Sequence, residues 1–166
     1  MTVEWQGKFL EVHREGNWEY AARTRAIGAA VIIALTDARE IVLVEQQRVP
    51  LGRPCLELPA GLVGDLEAGE TATASAAREL AEETGFTAAQ WEDLGSFATS
   101  PGLSSEMFQL FRATGLTRTG PGGGTDGEDI AVHLVALEML PAFVAAKRAA
   151  GVAIDCRIVV ALGLIA

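Results

Sequence analysis

The sequence has 166 residues, enough for one domain that buries a sizeable hydrophobic core. Hydrophobic residues make up 49% of it and charged residues 21%, a composition typical of a folded protein and not of a disordered one. With 13 Lys and Arg against 22 Asp and Glu, the net charge is −9, which disfavours binding to long nucleic acids through their phosphates. An acidic protein can still bind a small anion where divalent cations reverse the local charge.

Cysteine content and hydropathy indicate the cellular setting. Cys55 and Cys156 are the only cysteines, too few for a disulfide scaffold and not spaced as metal ligands. The most apolar runs, residues 26–35 and 158–166, are too short to span a bilayer. We therefore expect a reduced, cytoplasmic protein without a membrane anchor.

Residues 1–25 predict a small β segment. Apolar and charged side chains alternate unevenly from residue 3 to residue 25, and Glu15-Gly16-Asn17 is a turn signal between two short strands. The two tryptophans, the tyrosine and the other apolar side chains here are too many for a free tail and too few for an independent core. We expect this segment to dock on another surface, with residues 26–166 forming the main domain.

Residues 26–166 alternate between strand and helix patterns, which predicts an α/β domain with helices on both sides of a mixed sheet. A glycine-rich stretch, residues 115–127, predicts a mobile surface loop. The segments that favour strands are residues 27–35, 41–44, 91–98, 107–113 and 130–137, and those that favour helices are residues 71–84, residues 140–149 and a last stretch from about residue 155.

The predicted helix over residues 71–84 carries the most informative charges. It contains no Gly or Pro, and Gly85 follows where a left-handed residue commonly ends a helix. On a helix, Glu79, Glu82 and Glu83 lie within an arc of roughly 100°. Carboxylates this close repel one another, and a hard divalent cation offsets that repulsion. Oxygen-only ligands favour Mg²⁺ or Mn²⁺ over zinc, although a solvated acidic face is the alternative interpretation.

A longer pattern surrounds these glutamates. Gly64 and Glu70 precede residues 78–86, Arg-Glu-Leu-Ala-Glu-Glu-Thr-Gly-Phe, at the offsets of the Nudix signature, so the chain resembles the Nudix hydrolase family. The resemblance implies an α/β/α sandwich with a mixed sheet. In relatives the motif opens with the glycine of a Pro-Ala-Gly triplet, which in this chain is Pro59-Ala60-Gly61. Counted from Gly61, this chain has three extra residues before Glu70. Either Gly64 restores the register or residues 63–68 bulge outward.

The resemblance extends to one subfamily, the ADP-ribose pyrophosphatases. The segments that match this subfamily in order and spacing are Gln46-Gln47-Arg48, residues 57–61, residues 100–104 and Glu128-Asp129-Ile130. It implies Mg²⁺-dependent hydrolysis of the pyrophosphate of a nucleoside-diphosphate sugar, most simply ADP-ribose to AMP and ribose 5-phosphate. Another nucleoside-diphosphate sugar such as GDP-mannose is an alternative substrate, and a damaged nucleoside triphosphate is a weaker one. A non-catalytic nucleotide-binding regulator is the alternative from a different class.

The resemblance also implies roles for particular residues. Glu70 and Arg78 orient the motif, and Glu128 is the proposed catalytic base, with Asp126, Asp129, Glu106 or a metal-bridging hydroxide as alternatives. Trp18, Arg23, Arg48 and Glu57 are the implied substrate contacts, and the metal ligands are Glu79, Glu82, Glu83 and the main-chain carbonyl of Ala60. Trp18 has a purely structural alternative as a core or interface aromatic, and Arg23 and Arg48 have one as surface ion-pair partners.

Resemblance to ADP-ribose hydrolases further implies a homodimer. In such relatives the N-terminal strands exchange between subunits, and Trp18-Glu19 with Arg23 resembles the segment that reaches across the dimer. We therefore expect residues 1–25 to contribute Trp18 and Arg23 to a pocket that a second copy completes.

Overall fold

The computed structural model describes residues 1–25, 28–64, 69–125 and 127–165. The strands of the described residues are β1 (Thr2–Gln6), β2 (Leu10–Glu15), β3 (Trp18–Arg23), β4 (Ala29–Ala34), β5 (Glu40–Arg48), β6 (Arg53–Glu57), β7 (Ala60–Leu62), β8 (Phe86–Ala98), β9 (Met107–Arg118), β10 (Ala131–Ala136) and β11 (Ala153–Ile154). The α-helices are α1 (Ala72–Thr84), α2 (Leu140–Ala149) and α3 (Arg157–Ile165), and short 3-10 turns cover Val49–Leu51 and Leu137–Met139.

The central feature is strand β4, whose residues are apolar on both faces. Along a strand successive side chains point to opposite faces, so Val31 and Ile33 enter one core while Ala30 and Ile32 enter another. Helix α1 packs on the second core through residues such as Leu80, and α2 and α3 pack on the first. This arrangement confirms the predicted α/β/α architecture, with α1 on one side and the C-terminal helices on the other.

The strands around β4 form two mixed sheets of four strands each, where we expected one mixed sheet. One sheet has the order β7-β4-β9-β8, in which β4 and β9 are parallel. The other has the order β10-β5-β6-β11, in which only β6 and β11 are parallel. Strand β5 links them physically, because its Ile41 and Leu43 enter one core while Val42 enters the other.

Helix α1 begins and ends as its sequence predicts. Thr71 caps the N-terminus, its side-chain oxygen accepting a hydrogen bond from the Ala74 N–H at 3.2 Å. Gly85 ends the helix with φ at 74°, a left-handed conformation that glycine adopts without a steric penalty. In the described parts of the chain, no helix combines the length and the apolar character needed to cross a lipid bilayer.

The N-terminal β segment is a three-stranded antiparallel sheet, β1-β2-β3. The predicted turn at Glu15-Gly16-Asn17 joins β2 to β3, with Glu15 paired to Trp18, but β1 adds a strand that we did not predict. Within the chain this sheet contacts the main domain through the Ala21 N–H, which donates to the Leu103 carbonyl at 2.9 Å, and through Arg23, which binds Glu106.

Several boundaries differ from the sequence prediction. The predicted loop over residues 115–127 was wrong at its start, because β9 pairs with β8 as far as Arg118. The strand predicted from residue 27 is observed from Ala29, and Ile27 lies outside the described residues. Strands β6 and β7 were missed because they are short and contain Pro54 and Gly61, and β11 was missed because it has only two residues.

A polar cluster ties β5, β10 and α2 together. Lys147 Nζ lies 2.5 Å and His133 Nε2 lies 3.0 Å from Glu45 Oε2. Burial tends to raise the pKa of Glu45, but the hydrogen bonds with Lys147 and His133 outweigh it and hold that pKa below its ordinary value of 4.5. The ionised carboxylate is therefore favoured by folding.

We predict that Glu45→Gln lowers the free energy of unfolding at neutral pH and that this loss shrinks in acid. A pKa depressed in the folded state stabilises above the unfolded value of 4.5, and this contribution disappears as the pH falls through the folded pKa. Urea unfolding at neutral pH and at about pH 3 measures the difference. The exposed Glu138→Gln is the control, and a loss that is the same at both pH values would contradict the prediction.

Candidate active site

Arg78 is the centre of the acidic cluster on α1. Its Nε donates to Glu70 Oε1 at 3.2 Å, and its Nη1 lies 2.8 Å from Glu79 Oε1 and 2.9 Å from Glu82 Oε2. The hydrogen bond from Arg78 lowers the pKa of Glu70. One guanidinium thus holds three carboxylates, two of them predicted metal ligands, and its orienting role stays a prediction.

Glu83 lies deeper than the other two glutamates of the helix. Its residue is 6% exposed, and its Oε2 accepts a hydrogen bond from the Ala60 N–H at 3.0 Å. Burial raises the pKa of Glu83 to about 8, with repulsion from Glu79 adding to it and the Ala60 N–H opposing it. The pKa of Glu79 is also raised, chiefly by burial. Burial thus disfavours the ionised form of both carboxylates, even though Arg78 is bound to Glu79.

The Pro59-Ala60-Gly61 segment packs directly against these glutamates. A Cβ at Gly61 would lie 1.9 Å from the Glu79 carboxyl carbon, so only glycine lets this strand approach Glu79 so closely. Gly64 donates its N–H to Glu70 Oε2 at 3.2 Å, which fits the interpretation that Gly64 restores the register of the motif. The alternative, a bulge over residues 63–68, falls mostly on residues 65–68, which lie outside the described part of the chain.

A cavity of about 910 Å³ is lined by Ala60 and Gly61 of β7, the same two residues that contact the glutamates. Its wall contains the predicted substrate residues Arg23, Arg48 and Glu57. The glutamates of α1 do not line it, so it adjoins their site and does not contain them. Further lining residues that the sequence analysis did not identify are Arg53, Asp155 and Arg157.

Three of the four arginines that line the cavity are each held by a carboxylate through one edge of the guanidinium. Arg48 donates from Nε to Glu57 Oε1 and from Nη2 to Glu57 Oε2, both at 2.7 Å, and Glu57 is 3% exposed. Arg23 contacts Glu106 Oε1 through Nε at 2.8 Å and Nη2 at 2.6 Å. Arg157 binds Asp155 through the same two nitrogens. Among the described residues no hydrogen bond involves the Nη1 atoms of these three arginines, which leaves those atoms for an anion.

These pairings combine both interpretations that the sequence left open for Arg23 and Arg48. Each is an ion-pair partner, and each lines the cavity. The hydrogen bonds from Arg48 to Glu57 raise the pKa of the guanidinium. Burial raises the pKa of the neighbouring Cys55 thiol to about 12, so this cysteine stays protonated and unreactive at neutral pH.

Trp18 lies apart from this cavity. Its residue is 63% exposed, and it lines a separate cavity of about 370 Å³ with Tyr20 and Pro101. Arg23, five positions along the same strand, lines the larger cavity of its own chain. A single copy therefore does not bring Trp18 and Arg23 into one pocket, and their joint contribution to a shared pocket stays a prediction.

Glu128 follows the glycine-rich segment, near the glutamate helix. Its charge contributes to the raised pKa values of Glu79 and Glu83. Its Oε2 accepts a hydrogen bond from the Thr125 N–H at 3.1 Å. Of the alternative bases, Glu106 is bound by Arg23, Asp129 is exposed as Glu128 itself is, and Asp126 lies outside the described residues.

The donor set suits a hard divalent cation, because carboxylates with raised pKa values share one helix face. In the side-chain positions of the described residues, no three acidic, histidine or cysteine side chains lie close enough to hold one ion together. Arg78 instead binds Glu79 and Glu82, while Glu83 faces the Ala60 N–H.

Similarity to known proteins identifies the family to which this site belongs. The NUDIX domain family model matches residues 25–154. The chain belongs to the Nudix family. The resemblance inferred from residues 78–86 is thereby confirmed, and the glutamate helix of this Nudix domain is α1.

The relatives of this Nudix chain differ in their described activities. It is 46% identical over 112 residues to the methanol dehydrogenase activator of Bacillus methanolicus, a match that covers 68% of this chain and 58% of that protein. It is 43% identical over 90 residues to the ADP-ribose pyrophosphatase of Bacillus subtilis strain 168, covering 54% of this chain and 47% of that protein. The chain thus spans about half the length of these curated relatives.

A solved structure supports the fold assignment. The crystal structure of an ADP compounds hydrolase matches this chain with a TM-score of 0.67 and 19% sequence identity, covering 85% of this chain and 80% of that one. At this level of identity the likeness shows the fold alone.

We predict that Gly61→Ala weakens divalent cation binding by about tenfold without unfolding this Nudix domain. The added methyl group would displace the Glu79 carboxylate, and a flexible side-chain end can move without disrupting the backbone. Calorimetric titration with Mn²⁺ and thermal unfolding measure the two effects. Gly102→Ala is the matched control, because a Cβ there meets open space. Unchanged Mn²⁺ affinity in a folded Gly61→Ala protein would show that Glu79 is not a cation ligand.

Proposed function

We propose that this Nudix domain hydrolyses the pyrophosphate bond of a nucleoside-diphosphate sugar, with ADP-ribose as the leading substrate and AMP and ribose 5-phosphate as products. The observation that carries the proposal is the shared wall between the arginine-lined cavity and the glutamate helix. Strand β7 contacts Glu79 and Glu83 while its Ala60 and Gly61 line the cavity. A diphosphate bound by the arginines would therefore lie beside the carboxylates. The similarity to an ADP-ribose pyrophosphatase supports the substrate class.

The arginines would bind and orient the diphosphate. Planar guanidinium groups suit phosphate oxygens, and those of Arg23 and Arg48 are held in place by Glu106 and Glu57. Arg53 has no carboxylate partner among the described residues, so its whole donor set is open to the ligand. The paired arginines would supply geometry, and Arg53 would supply uncompensated positive charge.

The acidic residues would provide the hydrolytic chemistry. Held by Glu79, Glu82, Glu83 and the Ala60 carbonyl, Mg²⁺ or Mn²⁺ would supply neutralisation of the negative charge on the diphosphate. Glu128 would accept a proton from the attacking water, whose oxygen bonds to one phosphorus as the bridging P–O bond breaks. Glu106 is the less suitable base, because Arg23 already binds its carboxylate.

We predict that Glu82→Gln and Glu83→Gln lower turnover by about two orders of magnitude or more while the domain stays folded. Each change removes a cation ligand, yet it also removes a repelling charge, so stability is preserved. Initial rates over a range of Mg²⁺ concentrations, together with thermal unfolding, provide the measurement. Glu138→Gln is the control at an exposed acidic position. Wild-type rates at limiting Mg²⁺ would show that the metal site is assigned to the wrong residues.

A substrate panel separates the proposed activity from its rivals. ADP-ribose, GDP-mannose and nucleoside triphosphates would be compared by phosphate or nucleotide release at equal concentration. Preference for GDP-mannose would retain the reaction and change the base and sugar. Binding of a nucleotide without turnover of any compound would favour a regulatory role, which the relative described as a methanol dehydrogenase activator makes a specific alternative.

We also propose that the N-terminal sheet docks on a second copy of the chain. Large apolar side chains on it are exposed, namely Val3 at 51%, Trp5 at 58%, Phe9 at 64%, Leu10 at 46% and Trp18 at 63%. Such a surface is unusual for a sheet that stands alone in water. A homodimer would cover it and would bring Trp18 to the partner's cavity.

Cys55 and Cys156 are both free thiols, which suits a reducing, cytoplasmic setting.

We predict that Trp18→Ala raises the KM for ADP-ribose more than it lowers kcat. Stacking on a base stabilises bound substrate and transition state alike, so its loss appears mainly in KM. Steady-state kinetics and light scattering would be measured for Trp18→Ala and for Trp5→Ala, an exposed tryptophan of the same sheet that lines neither cavity. A fully active monomer, or an unchanged KM in Trp18→Ala, would move the base-binding site elsewhere.

A further inference from the structure

The glycine-rich segment after β9 is tied to the C-terminal end of the glutamate helix. A helix leaves its last carbonyl groups without partners inside the helix. Here the Gly123 N–H donates to the Glu83 carbonyl at 2.8 Å, and the Gly124 N–H donates to the Glu82 carbonyl at 3.0 Å. Thr119 and Gly120 both donate to the Gly85 carbonyl, at 2.8 and 3.1 Å. The segment therefore closes the end of α1 by hydrogen bonds to the two adjacent glutamates.

This contact depends on glycine on both sides. Gly122 has φ at 69°, and a Cβ there would lie 2.5 Å from the Thr84 carbonyl carbon. A Cβ at Gly85 would lie 2.2 Å from the Gly120 oxygen. All of these are backbone contacts that cannot be relieved by turning a side chain. Any larger residue would push the segment and the helix end apart.

Glu128 belongs to the same hydrogen-bonded unit. The Ile130 N–H donates to the Gly123 carbonyl at 3.3 Å, which closes the base of the loop that carries Glu128. The Glu128 N–H donates to the Thr125 carbonyl and its carboxylate accepts from the Thr125 N–H, both at 3.1 Å. A Cβ at Gly124 would lie 2.6 Å from Glu128 Oε2 and 2.7 Å from Glu128 Cβ. Gly124 thus touches the helix through its N–H and Glu128 through its bare Cα.

We propose that Gly122 and Gly124 are positioning residues that set the distance between the Glu128 carboxylate and the glutamates of α1. This inference rests on the proposed function, in which Glu128 accepts the proton from water. The loop takes its position from the carbonyls of Glu82 and Glu83, whose side chains are the proposed cation ligands. The base and the ligands are therefore tied to one another by two short hydrogen bonds, in addition to the pairing of β8 with β9.

The cost of disturbing such an arrangement is known in order of magnitude. Displacement of a catalytic group by about 1 Å can slow a reaction by about 100-fold while binding is retained. Substitution at Gly124 would move Glu128, and substitution at Gly122 would move the whole loop away from α1. Both changes should therefore lower kcat, and only the change at Gly122 should also release the amides that bind α1.

The test uses four glycine-to-alanine variants of the full chain. Gly124→Ala is expected to lower kcat for ADP-ribose by about 10- to 100-fold, with KM and Mn²⁺ affinity within about threefold of wild type. Gly122→Ala is expected to lower kcat and to speed hydrogen exchange at the Gly123 and Gly124 amides. Gly127→Ala is the control for backbone strain, because φ is 90° there and a Cβ meets open space. Gly120→Ala is the second control, because φ there is not left-handed and an added Cβ meets open space.

The outcomes are distinguishable from a failure of the proposed function. Wild-type protein that turns over no member of the substrate panel would refute the proposed function, whereas amide exchange would still report on the anchoring of the loop. A folded Gly124→Ala protein with wild-type kcat would overturn the positioning role. An equal loss of kcat in Gly127→Ala, or amides of Gly123 and Gly124 that exchange rapidly in the wild type, would overturn it as well. Thermal unfolding of every variant excludes loss of the fold as the cause.

Discussion

The acidic site depends on a single guanidinium group that binds three carboxylates. Arg78 contacts Glu70, Glu79 and Glu82, whose negative charges would otherwise repel one another along one face of a short helix. Its Nη2 is buried and has no hydrogen-bond partner among the described residues, so the side chain is not placed for its own best solvation. Leu80, two positions after Arg78 on the helix, is fully buried. Its packing fixes the rotation of α1 and therefore the positions of these charged side chains. A cation arriving at the glutamates has to share them with an arginine that is already there.

The position of this cluster relative to the cavity follows from two short strand features. Strand β4 is apolar on both faces and therefore accepts α1 on one side and the C-terminal helices on the other. Strand β7 pairs with β4, and its Ala60 and Gly61 contact the glutamates and also line the cavity. The absence of a side chain at Gly61 is what allows the two chemical environments to be one strand apart. The proposed site thus lies at a sheet edge, where backbone groups can contact side chains.

Local sequence signals were sufficient for the parts of this protein that are governed by local physics. The left-handed end of α1 at Gly85 and the extent of α2 agree with the prediction, and the cap at Thr71, which we did not predict, likewise depends only on neighbouring residues. Contacts between distant segments could not be inferred in this way. Arg157 meets the Glu57 carboxylate across 100 residues of chain, and the hydrogen bonds from Gly123 and Gly124 to α1 join segments 40 residues apart. A glycine-rich stretch indicates a loop, but its partner is decided by tertiary packing.

The negative net charge of the chain gives a reason why three arginines of the cavity are each paired with a carboxylate. With a net charge of −9 the chain repels an anionic ligand at long range, so attraction has to come from short-range contacts. Arg23, Arg48 and Arg157 are each bound by a carboxylate, which cancels much of their long-range field but fixes the plane of the guanidinium. Their remaining donors then act only on a ligand that reaches hydrogen-bond distance. Selectivity in such a cavity follows the positions of individual N–H groups, because a ligand with the right charge and the wrong geometry gains little from entering it.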